Sequence, residues 1–336
     1  MLLDRTTGEI EHKHFYDILD ELAAGDVLVF NDTKVFRARM MGTCRELDVE
    51  VFLLRCVSTA TATNSMWQAL LRPGKKVQVG DVILIGAIGE GHAHPVQIVV
   101  REKHDDGVAL LEFPLDEAGV LTFTDTHGSI PIPPYVDEIP DDSNKYQTVY
   151  AREVGSVAAP TAGFHFTNEL LARVKAKGVE IVFVTLHVGI GTFRPVQTET
   201  IEEHTMHAEF VQIPPETARA INAAKNEGRR VIAVGTTTVR SLEGAALLRS
   251  PSPYEGEGRG EVLDTSGFSG DVNMFIKPGF EFRVIDALVT NFHLPKSTLL
   301  VLVSALAGRE HILHAYEEAV REHYRFFSFG DAMFIR

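Results

Sequence analysis

Apolar and polar residues follow two different rhythms along this chain. Four near-continuous apolar runs, VLVF (27–30), EIVFVTL (180–186), RVIAVG (230–235) and VIDALVT (284–290), have the pattern of strands buried on both faces. From about Tyr146 onward such runs alternate with helical periodicity. Thr167 or Asn168 caps a helix that runs to Lys177 and closes at Gly178. Pro215 opens the helix ETARAINAAKNE, which Gly228 closes, and VRSLEGAALLR is another helix after Thr238. Pro295 starts the apolar helix TLLVLVSALAG, HILHAYEEAVREHY is amphipathic, and AMFI reads as a last strand. This alternation predicts a mainly parallel sheet. Near the start, Thr6-Thr7-Gly8-Glu9 is a turn signal, and His14 to Ala24 has helical spacing with Gly25 as its stop.

Between about Phe36 and Ile130 the rhythm changes to short β-type runs with turn residues between them: VEVFLLRCV, MWQALL, KVQV, VILIGAIG, PVQIVVRE and VALLEF. Such runs without intervening helices predict a small barrel or sandwich. The Pro-rich IPIPPYVDEIP (130–140) is the expected exit hinge. Because VLVF precedes this block and resembles the later strands, the β block reads as an insertion into an α/β domain. SPSPYEGEGRGE (250–261) lacks apolar periodicity and is expected as a surface loop without chemistry.

Five apolar or strand-like segments end in polar clusters: Asn31-Asp32-Thr33-Lys34, His165 in AAPTAGFHF, His187, Thr236-Thr237-Thr238, and Asn291-Phe292-His293. In an open α/β sheet, ligands bind outside the carboxyl ends of the strands. The clusters therefore point to one composite site.

Composition narrows the class. A length of 336 residues suggests about two domains, and 45% hydrophobic content is ordinary for a chain that buries real cores. The longest apolar stretch, TLLVLVSALAG, is too short to cross a bilayer. The N-terminus lacks the order of a signal peptide, and Cys44 and Cys56 read as reduced thiols of a cytoplasmic protein. A net charge of −14 argues against a generic nucleic-acid binder but leaves room for a local basic patch. Arg72, Lys75 and Lys76, then Lys34, Arg37 and Arg39, are the candidates; on charge alone, solvated turn and strand residues are the plainer reading.

Several motifs are informative by failing. GIGTFR runs into Pro195 and opens no helix, so it is not a dinucleotide fingerprint; no GxSxG elbow occurs, and Ser297 reads as a helix-start residue. In VGTTTVRSLE the threonines and helix N-terminus suit a carboxylate or phosphate, or Thr238 simply caps the helix. Arg240 and Glu243 share a helical face as an ion pair or a recognition pair. His204 and His207 share a face if IEEHTMHAEF is helical, but no third metal ligand stands at a characteristic spacing.

YQTVYA, GSVAAPTAGFHFT, LHVGIGTFRPV, HTMHAE, VGTTTVRSLE, ALVTNFHLPKSTLLVLVSALAG and YRFFSFGDAMFI, in this order, resemble the S-adenosylmethionine:tRNA ribosyltransferase-isomerases of queuosine biosynthesis. The resemblance runs through essentially the whole chain. It implies the α/β fold class in a particular form: an α/β/α sandwich domain (1–35 and 131–336) with an inserted small β-barrel domain (36–130). It also implies transfer and rearrangement of the ribosyl group of S-adenosylmethionine onto 7-aminomethyl-7-deazaguanine at the tRNA wobble position. The products would be epoxyqueuosine, adenine and methionine.

S-adenosylmethionine is then the co-substrate, with no metal expected. The expected partner is tRNA with a GUN-type anticodon carrying the precursor base, and the protein is expected to be a cytoplasmic monomer that contacts no membrane. Members of that family usually begin further upstream, so a strand ahead of Met1 pairing against residues 9–14 is expected. Phe164 stands where Leu is usual, Lys277 where Tyr is usual, and the 250–261 stretch looks inserted.

The implied chemistry needs a base near the carbon beside the sulfonium, a donor for departing adenine, and a neutral amine nucleophile. Imidazoles suit this work because their pKa lies near operating pH. His165, His187, His207 and His293 are the acid–base candidates, with Glu209 and Asp331 orienting them or replacing them. Asn31, Thr33, Thr161, Arg194, Thr236, Thr237, Arg240 and Asn291 are the expected substrate contacts. Arg72, Lys75, Lys76, Arg37 and Arg39 are the expected tRNA contacts. The alternatives are a metal-dependent hydrolase using His204 and His207, and a noncatalytic tRNA-binding remnant.

Overall fold

The computed structural model describes residues 1–61, 63–86, 95–132, 146–189, 208–249 and 261–336. The chain divides into two units: Met1–Thr33 with Gln147–Glu153 and Ala159–Arg336, and Lys34–Tyr146 with Val154–Ala158. The chain thus leaves the first unit after its first three strands, builds the second, and returns.

Among the described residues the sheet of the first unit holds nine strands: β1 (Leu2–Leu3), β2 (Ile10–Glu11), β3 (Val27–Asn31), β4 (Glu180–Leu186), β5 (Glu209–Ile213), β6 (Val231–Val234), β7 (Phe268–Val272), β8 (Ala287–Asn291) and β9 (Ala332–Ile335). Their order is β7-β5-β4-β3-β6-β8-β9-β1-β2. The centre, β4-β3-β6-β8, is parallel, while β5, β7 and β9 are added antiparallel. Every residue of β3, β6 and β8 is buried, which is why these strands read as unbroken apolar runs.

Both faces of that centre are covered. Leu28, Phe30, Ile232, Val234 and Val289 project into one cluster with Leu170 and Val174 of α1 (Asn168–Ala176) and with Ile18, Leu19 and Leu22. Helices α2 (Pro215–Asn226) and α3 (Thr236–Leu248) pack on β3, β4 and β6. Helices α4 (Thr298–Ala307) and α5 (Arg309–Arg321) pack on each other. Among the described residues no helix is long and apolar enough to cross a membrane.

Local starts and stops mostly follow their sequence signals. The Thr167 side chain accepts from Leu170 N at 3.2 Å, Pro215 is the first residue of α2, and Ser297 rather than Pro295 caps α4 by accepting from Leu300 N at 3.2 Å. The helix expected over 14–24 shrinks to a 3-10 turn, Phe15–Asp17, and one α turn, Ile18–Glu21. Leu22 is already extended, and the Asp26 carboxylate accepts from Ala23 N at 2.7 Å in place of a helical carbonyl.

In the second unit, Arg39–Cys44, Leu47–Thr61, Asn64–Arg72, Val108–Phe113, Val96–Lys103 and Val82–Ile85 pair in that order, and Thr43 opposite Leu84 closes the ring into a barrel. Alternate burial along Asn64–Arg72 and Val82–Ile85 matches strands with one face inward. Trp67 fills the interior beside Phe36 and Phe113. Two expectations fail here. KVQV (76–79) forms no strand: Gly74–Lys76 is a 3-10 turn, Asp81 accepts from Gln78 N, and Lys103 donates to the carbonyls of Gly74 and Val77. A helix, Glu117–His127, also interrupts the β block, capped by Asp116 and burying Val120, Phe123 and Thr124. Cys44 and Cys56 form no disulfide with each other. The stretches 133–140 and 250–260, expected as hinge and loop, lie outside the described residues.

Candidate active site

Because β3, β4, β6 and β8 are parallel, the residues that follow their last positions meet at one edge of the sheet. Thr33, His187, Thr236, Thr237 and His293 are such residues, and Asn31 and Asn291 end their strands. The first unit therefore gathers at this edge the polar clusters that the sequence scatters.

Asn31 is the hub. Its Oδ1 accepts from Leu186 N (3.0 Å) and Thr33 N (3.2 Å), while Nδ2 donates to Leu186 O (3.1 Å) and Thr237 Oγ1 (3.3 Å). The two backbone donors settle which amide atom is oxygen, and the four bonds use both donors and both acceptor positions. Thr33 Oγ1 then lies 2.8 Å from His187 Nδ1, and the His187 ring stacks on Phe210 at 6.1 Å. Burial pushes His187 down to about 4. His293 Nε2 lies 2.9 Å from Thr290 Oγ1, its backbone N–H donates to Tyr316 Oη at 2.8 Å, and burial likewise pushes its imidazole down to about 4.

His165 arrives differently. It is not at a strand end but closes a 3-10 turn, Thr161–His165, that follows Pro160. Its Nε2 lies 2.9 Å from Asn291 Oδ1, Asn291 Nδ2 donates to Thr161 Oγ1 at 3.0 Å, and Phe15 stacks on the imidazole at 4.9 Å. Burial pulls the His165 pKa down, against the opposing pull of Asn291 and Asp331. His165 and Asp331 line a cleft of about 470 Å³ together with Phe15, Tyr324 and Arg325. Burial raises the Asp331 carboxyl, but hydrogen bonds from the Arg325 side chain and backbone outweigh it and hold the pKa below the usual carboxylate range.

Glu209 and Arg240 form a buried pair at 2.5 Å. Glu243 does not pair with Arg240: its carboxylate accepts from the backbone N–H groups of Arg283, Val284 and Ile285 at 2.9 to 3.0 Å. Nor does Thr238 cap α3, since its hydroxyl donates to Val234 O at 2.7 Å and Gly235, at φ +88°, takes the cap position. Glu209, read within a possible helix, opens strand β5. His204, His207 and Arg194 lie outside the described residues. Among the described residues, no group of three or more His, Cys, Asp or Glu is arranged to hold a metal.

In the second unit, Arg72, Lys75 and Lys76 stand exposed around one turn. Arg37 and Arg39 are half-buried, and the Arg39 guanidinium lies over the Phe52 ring, 3.8 Å from Glu50.

Sequence reasoning passed over Asp32, which is 1% exposed and accepts from Thr185 Oγ1 (2.7 Å) and Arg152 Nη2 (2.6 Å). It also missed Phe15, Thr290 and Tyr316, the partners of the histidines. Asp32 lay within a polar cluster already noticed; the other three come from distant or apolar segments and carry no local signal.

Chemically, burial keeps His165, His187 and His293 neutral near pH 7, so each offers a free lone pair to a proton, as a weaker base than an exposed imidazole, and none holds an anion by charge. A parallel α/β sheet with neutral imidazoles, hydroxyls and amides along its carboxyl edge is the framework of an enzyme that binds its ligand in the crevice there. The chain belongs to the queuosine biosynthesis protein family, whose pattern it matches over residues 1–335. It is similar to the crystal structure of the S-adenosylmethionine tRNA ribosyltransferase from Thermotoga maritima. Sequence identity is 36%, all of this chain and 91% of that chain are covered, and the TM-score is 0.53.

Proposed function

We propose that this protein is an S-adenosylmethionine:tRNA ribosyltransferase-isomerase. It transfers and rearranges the ribosyl group of S-adenosylmethionine onto 7-aminomethyl-7-deazaguanine in tRNA, forming epoxyqueuosine and releasing adenine and methionine. The observation that carries this reading is the 36% identity to the Thermotoga maritima enzyme across the whole chain. The tRNA is of the GUN-anticodon type, and the enzyme works as a cytoplasmic monomer.

In this reading His165, His187 and His293, neutral by burial, are the acid–base set: one takes the proton from the carbon beside the sulfonium and, once protonated, delivers it to departing adenine, while another accepts the proton that the aminomethyl group loses to become a neutral nucleophile. His207 belongs to the same set, and Asp331 is an alternative acid–base group beside His165. Thr236, Thr237, Arg240 and Arg194 hold the methionine carboxylate or a tRNA phosphate, and Glu209 holds Arg240 in place. Asn31 spends its amide on the protein and so aligns Thr33 and His187. Arg72, Lys75 and Lys76 carry the tRNA contact in the second unit, with Arg37 and Arg39 next.

The reaction predicts that adenine and methionine appear together, in equal amounts, only when S-adenosylmethionine and the precursor tRNA are both present. Failure of the folded protein to release either favours the noncatalytic tRNA-binding remnant. Stoichiometric zinc with activity lost in chelator favours the metal-dependent hydrolase.

A further inference from the structure

Thr161 and His165 stand at the two ends of one 3-10 turn, and Asn291 from the end of β8 reaches both. Asn291 is 4% exposed, so its side chain is committed to these partners. We infer that Asn291 is a positioning residue, one that fixes His165 as the tautomer protonated at Nε2 and so leaves Nδ1 as the atom that accepts a proton from substrate. The inference rests on the proposed acid–base role of His165 and names the atom through which it acts.

The argument is one of donors and acceptors. An amide oxygen only accepts, so His165 Nε2, 2.9 Å from Asn291 Oδ1, must carry the hydrogen. The amide stands with Nδ2 donating to Thr161 Oγ1, 3.0 Å away; because a hydroxyl can also donate, the flipped amide would put the His165 hydrogen on Nδ1 instead, and the tautomer reports which orientation holds. A neutral imidazole has one hydrogen, so with Nε2 protonated Nδ1 holds the lone pair. Nδ1 has no hydrogen-bond partner among the described residues and is not sealed from solvent. His165 lines the cleft of about 470 Å³, and Phe15 stacked on the ring restricts its rotation. The base is thus held at one nitrogen and open at the other, and the hydrogen bond at the first sets the role of the second.

Two measurements test this separately from the reaction itself. Long-range ¹H–¹⁵N spectra of the full chain should show His165 protonated at Nε2 above its pKa, and Asn291→Asp should keep that tautomer. Asn291→Leu should lose the single-tautomer signature. It should also lower kcat by about 10-fold or more, part of the roughly 10²–10⁴-fold that a positioned base contributes, with KM for S-adenosylmethionine little changed. Asn291→Asp, which retains an acceptor, should recover much of the loss. A His165 signal protonated at Nδ1 in the unsubstituted protein, or a folded Asn291→Leu variant with unchanged kcat, overturns the inference. Undiminished turnover in folded His165→Ala would instead remove the reading beneath it, while the tautomer spectra would still decide what Asn291 does.

Discussion

Replacing Asn31 by Ala removes a fully buried amide that makes four hydrogen bonds at the junction of β3, β4 and α3. Three of its partners are backbone groups: Leu186 N, Leu186 O and Thr33 N. A buried backbone group left without a partner costs about 1–3 kcal/mol, and water entering the vacated volume recovers part of that. We expect a net loss of about 3 kcal/mol, or roughly 100-fold in a local opening equilibrium. The single tryptophan, Trp67, belongs to the barrel unit, so its fluorescence reports on a different part of the molecule. Amide hydrogen exchange is the suitable assay. In Asn31→Ala the amides of Leu186 and Thr33 should exchange on the order of 100-fold faster. Turnover should fall in Asn31→Ala because Thr33 no longer holds His187 Nδ1. Unchanged exchange at both amides in a folded Asn31→Ala variant would refute the reasoning that this amide organises the strand ends.

Three further outcomes follow. Glu209→Ala, which leaves the Arg240 guanidinium buried and unpaired, should destabilise the protein by about 3 kcal/mol in urea unfolding followed by circular dichroism, whereas Glu209→Ala combined with Arg240→Met should recover part of it. His187 and His293 fall from an ordinary 6.5 to about 4 in the folded state, so the unfolded chain binds protons that the fold excludes. Their contribution is complete above pH about 6.5 and is lost as pH falls toward 4. The melting temperature should therefore decline through that window, and less steeply in His293→Gln; an equal slope in both would contradict the burial argument. Binding of tRNA should weaken with salt by a log–log slope of about −0.7 to −0.9 per phosphate contact, and charge reversal at Arg72, Lys75 and Lys76 should reduce it. An unchanged slope places the contact at other residues.

What the sequence discloses and what it hides divide along physical lines. The central strands were legible because burial on both faces demands apolar runs, and β3, β6 and β8 are wholly buried. The strand-end clusters were legible because parallel strands put their carboxyl ends at one edge. Helix 117–127 was hidden by the β-type runs around it, although Asp116 was a usable cap signal. Pairings across long sequence distances were hidden altogether. Arg240 is three residues from Glu243, yet its partner is Glu209, while Glu243 is spent on backbone N–H groups at 283–285. Periodicity places residues on a face, but only the fold decides which opposite charge reaches that face. The stacking of Phe15 on His165 is of the same kind, joining an apolar residue near the start to a turn far along the chain.

The most direct test of the central claim is mass spectrometry of nucleosides from precursor-bearing tRNA incubated with this protein and S-adenosylmethionine. The account predicts conversion of 7-aminomethyl-7-deazaguanosine to epoxyqueuosine at the wobble position, dependent on S-adenosylmethionine and lost in His165→Ala, His187→Ala and His293→Ala variants that remain folded. Unmodified precursor after incubation with demonstrably folded protein and intact S-adenosylmethionine would contradict it.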